Sequence, residues 1–211
     1  MNSIVLVGGG GHAKVIVSIL RKLGCFTILG YTALEDGGNL MGIPFLGSDT
    51  KIAQLANEHG NLNAVLAVGQ VGLGNLRSSL WERLRVLPLS FPPIVSPKAI
   101  VNEEVAISEG AVVMDGAVVN SGASLGRGVI VNTNSTIEHD VMLGEWVHVA
   151  PGATISGGVT VGDFSMIGAG ATVIEGRRIE SGCLIGAGAT VINDLSEAGV
   201  YVGCPARRIK S

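Results

Sequence analysis

From Val95 to Val191 every sixth residue is Val, Ile or Leu, 17 positions without a skipped frame. A period of six matches neither the 3.6-residue repeat of an α-helix nor the alternation of a plain strand. It fits a short strand followed by a turn, three of which close an 18-residue triangular coil with the large aliphatics stacked inside. Four residues after each of these positions the side chain is usually small or β-branched, as at Ala99, Val105, Ala111, Ala117, Ala123 and Val129. Stacked at the spacing of hydrogen-bonded strands, the hexads span roughly 25–30 Å. Other repeat solenoids have longer and less regular periods. Residues 94–196 are therefore expected to form a left-handed parallel β-helix of hexapeptide repeats. Open strand edges at its ends invite pairing unless covered. Residues 1–93 could shield one end, and a capping tail over 197–211, with its Gly203-Cys204-Pro205-Ala206 stretch, could close the other.

Residues 1–93 carry a different pattern. Ile4-Val5-Leu6-Val7 is a buried-strand run, followed by Gly8-Gly9-Gly10-Gly11-His12 and an apolar-faced helix over Ala13–Leu23. Further strands fit Thr27–Tyr31 and Ala64–Val68, and a second helix fits Leu76–Leu84 before Val86-Leu87-Pro88-Leu89. Strand alternating with helix predicts a small parallel sheet, an α/β, Rossmann-like half. Gly8, Gly10 and Ala13 share the spacing of the dinucleotide fingerprint, in which amides at a helix N-terminus receive phosphate. The acid that normally holds ribose should stand at the end of the second strand, where Thr32-Ala33-Leu34 is found; Glu35 and Asp36 come slightly late. The segment is also too short for both halves of a dinucleotide fold, which favours a sugar-nucleotide pocket over NAD. A glycine turn without a ligand is the alternative.

Composition narrows the classes. A formal charge of −3 supplies no basic field for nucleic acid. No apolar run approaches a membrane span, and the N-terminus breaks into glycines too early for a signal peptide. Three scattered cysteines, Cys25, Cys183 and Cys204, read as reduced thiols in a cytoplasmic protein. The repeat contains two histidines at unsuitable spacing and no cysteine pair, so no metal is expected. Cys183 falls on a small inward position and reads as core.

His139 occupies the third position of its hexad, at a turn. Flanked by Glu138 and Asp140, it is set up as a general base, with Asp140 preferred as partner over Glu138; the alternative is a solvated turn histidine. His148 lies one and a half hexads on, which places it on another face. If both serve one site, a neighbouring prism must supply one of them; otherwise His148 is a surface residue beside Trp146. Glycine- and alanine-rich turns at Gly157-Gly158, Gly168-Ala169-Gly170 and Gly186-Ala187-Gly188 leave amides accessible to a thioester. Ala169 and Ala187 are one coil apart, an edge along which a pantetheine arm could lie with Arg177, Arg178, Arg207 or Arg208 near the CoA phosphates.

The Gly8–His12 run, Ile43-Pro44-Phe45-Leu46-Gly47, Ala67-Val68-Gly69, Asn132 through Asp140, Val147-His148-Val149 and Gly203-Cys204-Pro205-Ala206 resemble the bacterial sugar O/N-acetyltransferases, the group of the sialic-acid O-acetyltransferase (NeuD) and the bacillosamine-pathway N-acetyltransferase (PglD). The resemblance implies a homotrimer binding acetyl-CoA between protomers. It further implies an N-terminal domain that holds a UDP- or GDP-amino sugar, with Gly8, Gly10, Gly11, His12 and Asn132 as substrate-binding residues. His139 with Asp140 would be the base, and His148, Gly157, Ala169 and Ala187 would bind acetyl-CoA, His148 at the thioester carbonyl. Many such proteins carry aspartate where this chain has Ala33 and Leu34, so Glu35 or Asp36 substitutes or the acceptor differs. The expected activity is acetylation of an amino group on a nucleotide-linked sugar for surface glycans. O-acetylation of a sialic-acid-like sugar and a non-catalytic binding protein on the same scaffold are the alternatives.

Overall fold

The computed structural model describes residues 2–210, which divide into two compact units, residues 2–70 with 76–96 and residues 71–75 with 97–210. In the first, a parallel sheet of order β2-β1-β3-β4 is built from β1 (Asn2–Val7), β2 (Phe26–Thr32), β3 (Leu62–Leu66) and β4 (Leu89–Ser90). The central strand β1 buries Ile4 through Val7, as a strand covered on both faces must. Helix α1 (Gly11–Leu23) packs Ala13, Ile16, Val17, Ile19 and Leu20 and stops at Gly24, a left-handed C-cap. Helices α2 (Thr50–His59) and α3 (Leu76–Leu84) complete the unit.

Two expectations shift here. The third strand runs over Leu62–Leu66, two residues earlier than Ala64–Val68, because β1 ends at Val7 and its register pairs Val7 with Leu66. Val68 has no strand left to pair with. Helix α2 went unanticipated; its inward stripe is only Ile52 and Ala56, one turn apart.

The second unit is the left-handed β-helix. Two-residue strands pair in parallel at an offset of 18, Ser124 with Met142 and Thr136 with Thr154, so each coil takes three hexads. The strands sort into three faces, one containing Thr136–Ile137, one Met142–Leu143 and one His148–Val149. Every ladder position from Val113 to Val191 is buried, whereas Val95, Val101 and Ile107 are only half-buried. Small positions fill the space between ladders, with Ala117, Val129, Ser135, Val147 and Cys183 at 0% exposure. Val71–Asn75 belongs to this unit, and the Gly72 amide donates to Met166 Sδ on the His148 face. The tail adds Gly199–Val202 in parallel beside Cys183–Ile185, and Arg207–Lys210 returns antiparallel to close that sheet.

The turns have their own period. Positive φ recurs at every sixth residue in one unbroken run from Glu104 to Gly188. Glycine fills most of these corners, but Asn134, Asp140 and Trp146 hold three successive ones, where a side chain costs backbone strain. The strained run brackets His139.

Candidate active site

His139 follows the strand Thr136–Ile137, whose Ile137 anchors the coil from inside. Its corner is clamped from both neighbouring coils: the Asp140 amide donates to Ser121 O at 3.1 Å, and the Gly158 amide donates to His139 O at 2.9 Å. The left-handed φ of 59° at Asp140 turns its carboxylate back so that Oδ2 lies 3.0 Å from His139 Nδ1. A β-carbon on Gly122, one coil earlier, would fall 2.5 Å from Asp140 Oδ1; glycine there leaves the carboxylate its place. Glu138 is engaged elsewhere, accepting from Asn120 Nδ2 at 2.9 Å, and Asn120 in turn accepts from Asn102 Nδ2 at 2.6 Å. Asp140 is therefore the hydrogen-bond partner of His139.

Two properties suit the imidazole to proton abstraction. With Nδ1–H donated to Asp140, Nε2 carries the lone pair. The hydrogen bond to Asp140 lifts the His139 pKa above its ordinary value; desolvation opposes the rise, and the charges of Asp140, Glu138 and Glu175 add to it. The side chain stays 59% exposed, open to a substrate. Beneath it lies Gly157, one coil on, where a β-carbon would fall 2.5 Å from Nε2 and 2.6 Å from Cε1. Gly157 is buried and outside the positive-φ series, so its glycine answers to the ring and not to a turn. It forms the floor of the imidazole, a role the glycine-rich spacing alone did not indicate.

His148 stands on a different face, between Ile130 and Met166, whereas His139 is at the corner joining the other two faces. It is 6% exposed, so within this chain it is not a surface residue. Asn132 lies against it, Nδ2 to Nε2 at 3.1 Å, and the Asn132 side chain is oriented by the Thr133 amide donating to Oδ1 at 2.8 Å. An amide N–H directed at Nε2 makes that nitrogen the acceptor and leaves Nδ1 as the donor of the neutral ring. Asn132, expected as a substrate contact, is in hydrogen-bond contact with His148 within this chain. Ala169 and Ala187 are exposed and stacked, the Gly188 amide donating to Ala169 O at 2.9 Å.

In the N-terminal unit the strand ends open a cavity of about 580 Å³. Val7 at the end of β1 with Gly8 after it, Thr32 at the end of β2 with Ala33, Leu34 and Glu35 after it, Val68, Asp49 and the α3 residues Leu76, Ser79, Leu80 and Arg83 line it. Such crevices at the carboxyl ends of parallel strands are where α/β sheets bind ligands. Gly8, at φ 118°, brings β1 so close to the chain after β3 that a β-carbon would meet Val68 Cγ2 at 2.7 Å. Gly10 and Gly11 have open space around them, and α1 begins there with no side-chain cap and no acid in its first turn, an arrangement that favours an anion. His12 stands in that first turn, half-buried beside Gly69.

The two late acids part company. Asp36 Oδ1 accepts from Tyr31 Oη at 2.8 Å and from the Gly38 amide at 2.9 Å, which commits it to the loop. Glu35 lines the cavity. Asp49, Ser79 and Arg83 were not anticipated; the first sits at the start of the unforeseen α2, and the others on the cavity face of α3. Among the described residues no group of three or more His, Cys, Asp or Glu is arranged to hold a metal, and no helix is long and apolar enough to cross a membrane.

Comparison with known proteins agrees in both units. The PglD N-terminal domain family matches residues 3–84, and the bacterial transferase hexapeptide family, six repeats, matches residues 122–157. UDP-N-acetylbacillosamine N-acetyltransferase of Bacillus subtilis is 32% identical over 119 residues, a match spanning 54% of this chain and 52% of that protein. A variant of perosamine N-acetyltransferase from Caulobacter crescentus, solved in complex with CoA and GDP-perosamine, is 32% identical with a TM-score of 0.93, covering 100% of this chain and 98% of that one. The acetyltransferase domain of PglB from Neisseria gonorrhoeae, solved with acetyl coenzyme A, is 32% identical with a TM-score of 0.89, covering 99% and 100%. The chain belongs to the PglD-type family of hexapeptide-repeat sugar N-acetyltransferases.

Proposed function

We propose that the chain transfers the acetyl group of acetyl-CoA to the amino group of a nucleotide-linked amino sugar, of the UDP- or GDP-4-amino-4,6-dideoxy type, in surface-glycan synthesis. The observation that carries this reading is the His139–Asp140 pair seated on Gly157, in a chain whose family acts on such sugars. The sugar amine attacks the thioester carbonyl, forming the N–C bond. His139 Nε2 takes the amine's proton, and Asp140 stabilises the imidazolium that results. Collapse of the tetrahedral intermediate breaks the C–S bond, and the proton passes from His139 to the departing CoA thiolate. His148 is assigned to the developing oxyanion.

Because His139 and His148 belong to different sides of one prism, a shared centre requires two chains. We assign the active sites to the boundaries of a homotrimer, in which Ala169 and Ala187 line the acetyl-CoA path. Both substrates are cytoplasmic metabolites, and the reading places the protein there.

The test supplies purified chain with acetyl-CoA and UDP- or GDP-4-amino-4,6-dideoxy sugars and follows CoA thiol release. His139→Ala is expected to lower kcat by roughly 10²–10⁴-fold, the usual worth of a general base, at an unchanged melting temperature. Near-normal turnover by this variant removes His139 from the mechanism.

A further inference from the structure

Asp49 is the first residue to consider in the N-terminal cavity, because its carboxylate is not used as its position suggests. It precedes α2 as the N-cap, a place where aspartate ordinarily accepts from the helix's first amides, yet it makes no side-chain cap hydrogen bond. Instead Oδ1 accepts from the hydroxyl of Thr32 at 2.7 Å, and Oδ2 faces Arg83 Nη2 at 3.3 Å. Thr32 is fully buried at the last position of β2. A buried hydroxyl at the strand end therefore pins a carboxylate that the chain delivers 17 residues later.

The strand-end location matters chemically. In parallel α/β sheets that bind nucleotides, an acid at the end of the second strand accepts hydrogen bonds from the ribose hydroxyls. In this chain that place holds Ala33 and Leu34, Asp36 is committed to Tyr31 and Gly38, and of the two acids that line the cavity, Glu35 and Asp49, it is Asp49 that a buried hydroxyl holds in place. Asp49 lines the same cavity as Gly8, the first residue of the glycine loop that leads into the uncapped start of α1. Apolar walls at Val68, Leu76 and Leu80 suit a base, and a cavity of about 580 Å³ is of ligand size.

We infer that Asp49, pinned by Thr32, replaces the missing strand-end acid and receives the ribose diol of the nucleoside diphosphate. This rests on the nucleotide-sugar reading above and adds the residue that recognises the ribose. The experiment is calorimetric titration of the full chain with UDP, GDP, dUDP and dGDP, with acetyl-CoA as the reference ligand. In the wild type the tighter of UDP and GDP should bind about tenfold more strongly than its 2′-deoxy counterpart, the worth of one hydrogen bond to a charged group. Asp49→Ala should weaken the ribonucleotide at least tenfold and abolish that discrimination, while acetyl-CoA binding stays unchanged. Thr32→Val, which keeps the carboxylate but unpins it, should give an intermediate loss and serves if Asp49→Ala does not fold. Wild-type affinity and discrimination in both variants overturn the ribose assignment alone. Failure of the wild type to bind either ribonucleotide while it binds acetyl-CoA overturns the nucleotide-sugar reading and the ribose assignment with it.

Discussion

Gly157→Ala probes the site with one added methyl group. Gly157 is outside the positive-φ corners, so alanine suits its backbone and the perturbation falls on the ring above. The new β-carbon would lie 2.5 Å from His139 Nε2, 2.6 Å from Cε1 and 3.1 Å from Cδ2. Unstrained carbon contacts need about 3.5–4.0 Å, so the imidazole must retreat by about 1 Å or more. The His139 side chain is exposed and can swing aside, so folding should lose about 1 kcal/mol, the cost of pushing one side chain off its rotamer. Catalysis should lose far more. A 1 Å misplacement costs on the order of 10²-fold in rate, about 2.7 kcal/mol of barrier, and the movement also pulls Nδ1 from the Asp140 oxygen it meets at 3.0 Å. Steady-state kcat from CoA release, paired with a thermal melt, measures both effects. In a His139→Ala background the same change should do nothing further, because no ring remains to displace. Wild-type kcat in Gly157→Ala, or an equal loss in the His139→Ala background, would refute the floor assigned to Gly157.

Other expectations follow from the same geometry. Asp140→Gly and Asp140→Ala both remove the carboxylate and should both lose turnover, but glycine relieves the left-handed backbone, so denaturant titration should find it more stable than alanine by about 1 kcal/mol. The raised His139 pKa means the base is protonated, and idle, at higher pH than an ordinary imidazole; Asp140→Asn should therefore move the acid limb of the kcat/KM profile to lower pH. An unmoved limb would detach Asp140 from the titration. Ile155→Ala empties a fully buried ladder position and should cost about 2–5 kcal/mol in equilibrium unfolding.

The β-helix was legible because its constraint repeats: each ladder side chain must face inward at a period set by three strands and three turns, and no other element has that period. His139 was legible for a related reason, as a titratable group at a corner with a carboxylate beside it. The contact with Gly157 was hidden, since a glycine among turns looks like another turn. Its signal was its phase: position 158 carries the left-handed corner, so position 157 had no backbone reason to be glycine. Helix α2 escaped because Ile52 and Ala56 make too short a stripe to show a period. With it went Asp49, whose partners Thr32 and Arg83 lie 17 and 34 residues away and meet it only through the packing of α2 and α3. Side-chain cavities of this kind carry no local pattern.

The central claim is that this chain acetylates the nitrogen of a nucleotide-linked sugar. Incubating it with acetyl-CoA and a UDP- or GDP-4-amino-4,6-dideoxy sugar, then locating the acetyl group by NMR of the isolated product, tests it most directly. The account predicts an amide on the sugar nitrogen, formed one-for-one with free CoA and absent with His139→Ala. An acetyl ester on a sugar oxygen, or no transfer to either nucleotide sugar, would contradict it.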